Sequence, residues 1–256
     1  VSSADGDPDV ALHLADLTHR EATVLAEAGA VAFLPAGATE AHGPHLPLGT
    51  DVVISLRAAE LAAQALRAEG QPAIVLPPLA YAVTEFASGF GGTISLPPET
   101  AAALVRDVIL GAKRAGFPAT VIANAHLEPA HLTTLRAGMA QAVDGGARVA
   151  FPDVTRKPHA LRLGEEFKSG ACHAGSYETS LVLAARPELV RTDEAAALPD
   201  NPISLSRAIR RGKKTFVEAG GPDAYFGWPS QATEAQGHAL YRSLAEIFAD
   251  AARTLL

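Results

Sequence analysis

The 256-residue chain has one cysteine, one methionine and one tryptophan. A single thiol, Cys172, excludes an internal disulfide framework and fits a reducing, cytoplasmic compartment. No apolar run reaches the roughly 20 residues needed to span a bilayer. The first residues, Val1 to Pro8, lack a basic stretch followed by an apolar core, so no signal peptide is expected in them. Positive charge is also scarce: 21 Lys and Arg stand against 28 Asp and Glu, a formal charge of -7. That balance argues against a nucleic-acid or anionic-membrane surface, because both need clustered cations to meet phosphate. The one basic knot, Arg210-Arg211-Gly212-Lys213-Lys214, reads as a solvated loop. Internal repeats and low-complexity tracts are absent too, so residues 1–256 are expected to form one domain.

What the chain does contain is an alternation of short apolar runs with longer amphipathic ones, the pattern of an α/β/α sandwich around a mostly parallel sheet. Strands are expected at Ala30–Leu34, Ala73–Leu76, Thr93–Leu96, Ala119–Asn124 and Arg148–Phe151. Helices are expected from Asp51 to Ala68, with Val52, Leu56, Ala59, Leu61 and Ala62 on the apolar side, and from Pro98 to about Ala112. Others should start at Pro129, run from Ala174 to Ala185, and close the chain from Thr233 to Leu256. Residues 187–229 read as loop.

Three polar clusters interrupt this pattern. In the first, Glu40 and His42 are two apart, so extended backbone sends their side chains to the same side, and Asp51 returns to them after a turn made by Gly43-Pro44 and Pro47. The second is His126 with Glu128, just past a strand. In open α/β sheets loops converge at that edge, where ligands bind. Five carboxylate and imidazole groups, Glu40, His42, Asp51, His126 and Glu128, suit a two-metal site with Asp51 as the bridge. Their mixture suits Zn, Mn or Fe alike. The third cluster, Cys172-His173 to Ser180, places His173 before a helix and Glu178 in that helix's second turn, where an anion would meet free amides. His173 is a candidate general acid or base. His45 reads as a supporting hydrogen-bond group, Cys172 as a small buried filler, and His131 as a brace for Glu128.

Taken in order, Thr39-Glu40-x-His42-Gly-Pro-His45-Leu-Pro-x-Gly-Thr-Asp51, Asn124-x-His126-x-Glu128 and His173-Ala-Gly-x-x-Glu178-Thr-Ser180 resemble the creatininase family of metal-dependent amidohydrolases. Phe90-Gly-Gly-Thr93-Ile-Ser-Leu and Gly221-Pro-Asp-Ala-Tyr-Phe-Gly227 extend the likeness over roughly residues 20–250. The resemblance implies a dinuclear Zn or Mn centre in a homohexamer. One metal would be held by Glu40, Asp51 and His126, the other by His42, Asp51 and Glu128, with a bridging hydroxide as nucleophile and His173 moving protons. Glu128, Glu178 and His173 are then the candidate catalytic groups.

The expected activity is hydrolysis of a small or cyclic amide C–N bond. The alternatives are a peptidase trimming a modified peptide in cofactor maturation and a non-catalytic metal-binding subunit. Leu127 stands where creatinine-hydrolysing members carry Tyr, and Trp228 is the sole tryptophan, so a substrate other than creatinine is expected. Glycine at positions 89, 91 and 92 suggests backbone amides near the substrate.

Overall fold

The computed structural model describes residues 11–256; the leader reading of Val1 to Pro8 falls outside the described residues. Four strands form one all-parallel sheet: β1 (Val31–Ala36), β2 (Ala73–Val75), β3 (Thr120–Asn124) and β4 (Val149–Ala150), in the order β2-β1-β3-β4. All-parallel sheets are buried on both faces by their crossover helices, which explains why β1 and β3 are continuous apolar runs buried at every position. Alternate residues serve opposite layers. Val31, Phe33, Val121 and Ala123 pack towards α2 (Thr50–Ala68), α6 (Ser176–Ala185) and α10 (Glu234–Arg253). Ala32, Leu34, Ala36 and Ile122 pack towards α3 (Pro98–Arg114) and α4 (Pro129–Asp144), with α1 (His19–Glu27) at the margin. Among the described residues no helix is long and apolar enough to cross a membrane.

Local chemistry sets the helix starts. Thr18 and Glu21 form a reciprocal capping box on α1, Thr233 accepts from the Gln236 amide to cap α10, and Pro98 and Pro129 open α3 and α4 where a missing N–H costs nothing. Several details differ from the sequence reading. The core face of α2 is Ile54, Ala58, Ala62 and Leu66 together with Ala59, while Val52, Leu56 and Leu61 are only half-buried. Alanine-rich helices offer little contrast between faces, so the stripe was misplaced by a fraction of a turn. Thr93–Leu96 makes isolated bridges, Ile94 to Thr39 and Ser95 to Ala82, and not a strand of the sheet. Residues 187–229 hold three short helices, α7 (Thr192–Ala197), α8 (Leu205–Arg210) and α9 (Phe216–Ala219), after an equally short α5 (Gly164–Ser169). Four to six residues are too few to show a helical period.

The sheet order reverses direction between β1 and β3, the two central strands. They run in register to their ends, Pro35 beside Ala123 and Ala36 beside Asn124. The loops that follow, residues 37–49 and 125–128, therefore leave the same edge side by side at the topological switch point, where α/β sheets bind ligands.

A buried imidazole and carboxylate centre

Glu40 and His42 lie on the loop after β1, Asp51 in the first turn of α2, His126 after β3, His173 before α6 and Glu178 in the first turn of α6. Glu178 thus sits one turn earlier than its sequence position suggested, because α6 starts at Ser176 and not at Ala174. Carboxylates in the first turn of α2 and α6 gain from the positive end of the helix dipole. Gly37 makes the approach possible: a Cβ there would lie 2.6 Å from the Val52 nitrogen and 2.9 Å from the Asp51 Cβ, so only glycine lets the end of β1 press against the start of α2.

All six side chains are buried, His42 completely. His42 Nε2 lies 3.3 Å from Asp51, 3.5 Å from Glu178 and 3.8 Å from Glu40. His126 Nδ1 lies 3.1 Å from Asp51 and 3.2 Å from Glu40. His173 Nδ1 is 3.9 Å from Glu40 and 4.0 Å from Glu178. Asp51 faces both His42 and His126, one oxygen to each.

The outer nitrogens explain what the inner ones can do. His42 Nδ1 donates to the Glu40 carbonyl at 3.1 Å, His126 Nε2 to the Val83 carbonyl at 2.9 Å and His173 Nε2 to the Ala41 carbonyl at 3.0 Å. A carbonyl only accepts, so each ring spends its N–H outward and turns a lone pair inward. Lone pairs then meet carboxylate oxygens, an arrangement that needs positive charge between them. His42 Nε2 and Asp51 Oδ2 have no hydrogen-bond partner despite full burial, which native interiors avoid unless another species completes them. Three ligand groupings arise, Glu40 with His42 and His173, Glu40 with His126 and Glu128, and His42 with Asp51 and Glu178, each with donor atoms within 4.8 Å. Buried donors of this chemistry fit a pair of divalent cations.

When protons are the only cations present, the same field holds them on the rings. Burial pulls His42 down, but Asp51, Glu178 and Glu40 outweigh it and raise its pKa to about 10. His126 is raised well above its ordinary value by Glu40 and Asp51, again against burial. Burial and the charge of His42 lower His173 to about 4, so this ring stays neutral and able to accept a proton. Burial raises Glu178 to about 8, Asp51 and Glu40 adding to it and His42 opposing.

Glu128 joins Glu40 and His126 in one of the three ligand groupings. It is not within ion-pair distance of His42 among the described residues; its two oxygens accept from the backbone amides of Glu85 at 3.1 Å and Phe86 at 3.2 Å. Burial raises its carboxyl, opposed by His126 and those amides. Its neighbour His131 bonds Asn124 at 2.9 Å and packs on His126, bracing that ligand and not Glu128. His45 bonds Thr179 at 2.9 Å and so ties the first loop to α6. The Gly89–Gly92 run lies off the cavity described below. Cys172 lines that cavity, but burial with Glu178 and Glu166 pushes its thiol up, so it stays protonated.

The residue that sequence reasoning missed is Glu166. Its buried carboxylate accepts from the Ser176 amide (2.8 Å) and hydroxyl (2.9 Å), the Tyr177 amide (2.7 Å) and the Trp228 amide (2.9 Å). The anion expected at the start of α6 is therefore the protein's own. Gly175 admits it, since a Cβ there would stand 2.5 Å from the carboxylate oxygens. A Glu in a short irregular segment carries no sequence signal of this role, though Gly175 and Gly227 flanking the site are its nearest trace.

The centre opens into a cavity of about 470 Å³. Glu40, Asp51, His126, Glu128, His173 and Glu178 reach its lining, and Leu127, Leu161, Leu205, Ile209 and Phe216 form apolar walls. Phe216 lies on the His173 ring at 4.1 Å between centroids.

A parallel α/β sheet with a buried cluster of this kind at its switch point defines a metal-site hydrolase class of protein. The model of the creatininase (creatinine amidohydrolase) family matches residues 15–252, and the chain belongs to that family. It is 30% identical over 248 residues to the mycofactocin precursor peptide peptidase of Mycobacterium ulcerans (strain Agy99), covering 89% of this chain and 91% of that protein. Identity to the creatinine amidohydrolase of Pseudomonas putida is 28% over 211 residues, 72% of this chain and 75% of that one. A solved structure named creatininase Mn superposes with a TM-score of 0.73 at 24% identity, covering 96% of this chain and 98% of that one, a likeness of fold.

Proposed function

We propose that this creatininase-family protein is a metal-dependent hydrolase that cuts an amide C–N bond in a peptide segment. The observation that carries the hydrolase reading is the set of three inward lone pairs and shared carboxylates at the floor of an open cavity. Peptide size is supported by a cavity of about 470 Å³, within the range that takes extended ligands and more than a small ring requires. It is supported also by the relatives at 30% identity, which are named peptidases. Hydrolysis of a small or cyclic amide is the second reading, favoured by the 28% identity to a creatinine amidohydrolase.

Glu40, Asp51 and His126 would hold one divalent cation, and His42, Asp51 and Glu178 the other, with Asp51 shared. Zn, Mn and Fe all suit these donors. Such a pair, when bound, acidifies water and polarises a carbonyl oxygen. The protein's own groups manage the protons. His173 is neutral, its Nε2–H is pinned to Ala41, and its Nδ1 faces the centre, so it accepts a proton there and returns it to the departing nitrogen. An amide nitrogen leaves poorly unless protonated, which makes this return essential. Glu128, held by two backbone amides, presents a carboxyl group at the cavity wall. Phe216 and Leu127 keep bulk water from the reacting groups.

The test is metal analysis of the purified protein together with a screen of peptides, lactams, cyclic ureas and formamides. About two metal equivalents per chain with peptide cleavage is the expected result. Absence of stoichiometric transition metal overturns the hydrolase reading, and two metals with no amide hydrolysis supports a non-catalytic metal-binding subunit instead.

A further inference from the structure

The mouth of the cavity has the opposite charge from its floor. Its four carboxylates, Glu40, Asp51, Glu128 and Glu178, all belong to the buried centre, and its remaining charged lining residues are cations: Lys157, Lys168, Arg207 and Arg210. In a chain with net charge -7 this segregation is against the average. Lys168 is neutralised by Glu165 at 2.7 Å. The side chains of Lys157, Arg207 and Arg210 form no hydrogen bond or ion pair among the described residues. Arg207 and Arg210 are three apart on α8, hence on one face of it, and α8 also turns Leu205 and Ile209 into the cavity. One short helix thus contributes two apolar and two unpaired cationic residues to the cavity lining. The basic knot read as a solvated loop begins inside this wall.

We propose that Arg207 and Arg210, with Lys157 of the same cavity lining, form a carboxylate-binding subsite, so that the peptide cut at the buried centre is one bearing a carboxylate away from its scissile bond. This rests on the peptide-hydrolase reading. A guanidinium fork meets a carboxylate with two parallel hydrogen bonds, a geometry lysine or a neutral donor does not reproduce. The carboxylate comes either from a free C-terminus or from an acidic side chain.

Three N-acetylated alanine tetrapeptides separate these sources: one with a free C-terminus, its C-terminal amide, and that amide with Glu at the third position. Affinities for the metal-loaded protein are measured by isothermal titration, or as KM where a peptide is cut, with cleavage followed by mass spectrometry. A carboxylate-bearing peptide should bind at least about tenfold more tightly than the neutral amide, as a charge-assisted pair warrants. The preference should vanish in the double variant Arg207→Gln/Arg210→Gln, whose exposed positions leave folding intact by circular dichroism. An advantage confined to the free terminus identifies the α-carboxylate, and one confined to the Glu peptide identifies the side chain. Equal affinities for charged and neutral peptides, or a preference unmoved by the double variant, overturn the proposal. Preference without cleavage of any peptide would defeat the hydrolase reading while leaving the subsite standing.

Discussion

The two sides of the cavity are built on different rules. On the sheet side, Glu40, His42, Asp51 and His126 hang from β1, α2 and β3, and each imidazole is pinned through its outer nitrogen to a backbone carbonyl. On the other side, residues 155–170 and 204–216 contribute short helices, exposed cations and apolar patches. The first side is buried and held by many partners, and the second is irregular and free to vary. Groups that must hold charge against burial are placed where a parallel sheet cannot move them, and selection among substrates is left to loops.

The sharpest way to break this contrast is to compare two carboxylates that sequence alone treats alike. Glu178→Gln removes a group 3.5 Å from His42 and should release one metal equivalent, lowering turnover by at least about a hundredfold. Glu128→Gln, whose carboxylate is held by backbone amides, should keep both metals and lose about a hundredfold or more in kcat by losing the carboxyl group at the cavity wall. Metal analysis beside steady-state rates decides it: if Glu128→Gln sheds a metal and Glu178→Gln does not, the assignment is reversed.

Glu166 joins the two sides, since it ties the start of α6 to Trp228. Glu166→Gln keeps the shape but replaces an acceptor with a donor facing amides, and should cost about 2–3 kcal/mol in denaturant unfolding. A loss of α6 alignment should also weaken metal retention; a variant with unchanged stability and metal content would mean the carboxylate is dispensable.

A further effect is expected on stability with pH. In chelated protein His42, ordinarily near 6.5, is raised to about 10, so its contribution is complete below 6.5 and lost as pH climbs through 10. Glu178, raised from 4.5 to about 8, acts in the same direction between those values. Asp51 is depressed, so its contribution is present above 3.8 and fades only in acid. Melting temperature of the chelated protein should therefore fall from pH 6 to 10, while metal-loaded protein, its cations replacing those protons, should hold a plateau. Parallel curves for the two forms would contradict this account.

Much of the sheet side was legible in the chain. Ala119–Asn124 is a continuous apolar run, and Glu40-x-His42 and His126 follow strands directly, so period and spacing were enough to place them. Glu128 is two residues from His126, as His42 is from Glu40. Sequence spacing does not reveal that the amides of Glu85 and Phe86 draw it aside. Glu166 was missed for a related reason: a helix of six residues has no period, and a charge in such a segment looks solvated until its neighbours are known.

Composition and hydrophobic period determined by themselves that this chain builds a parallel α/β sheet and carries imidazoles and carboxylates at its strand ends, because those signals are local and repeat along the backbone. Which carboxylate faces His42, which one anchors α6, and which cations stand at the cavity mouth were decided only by tertiary structure, because each depends on burial and on amides brought from more than ten residues, or a whole layer, away.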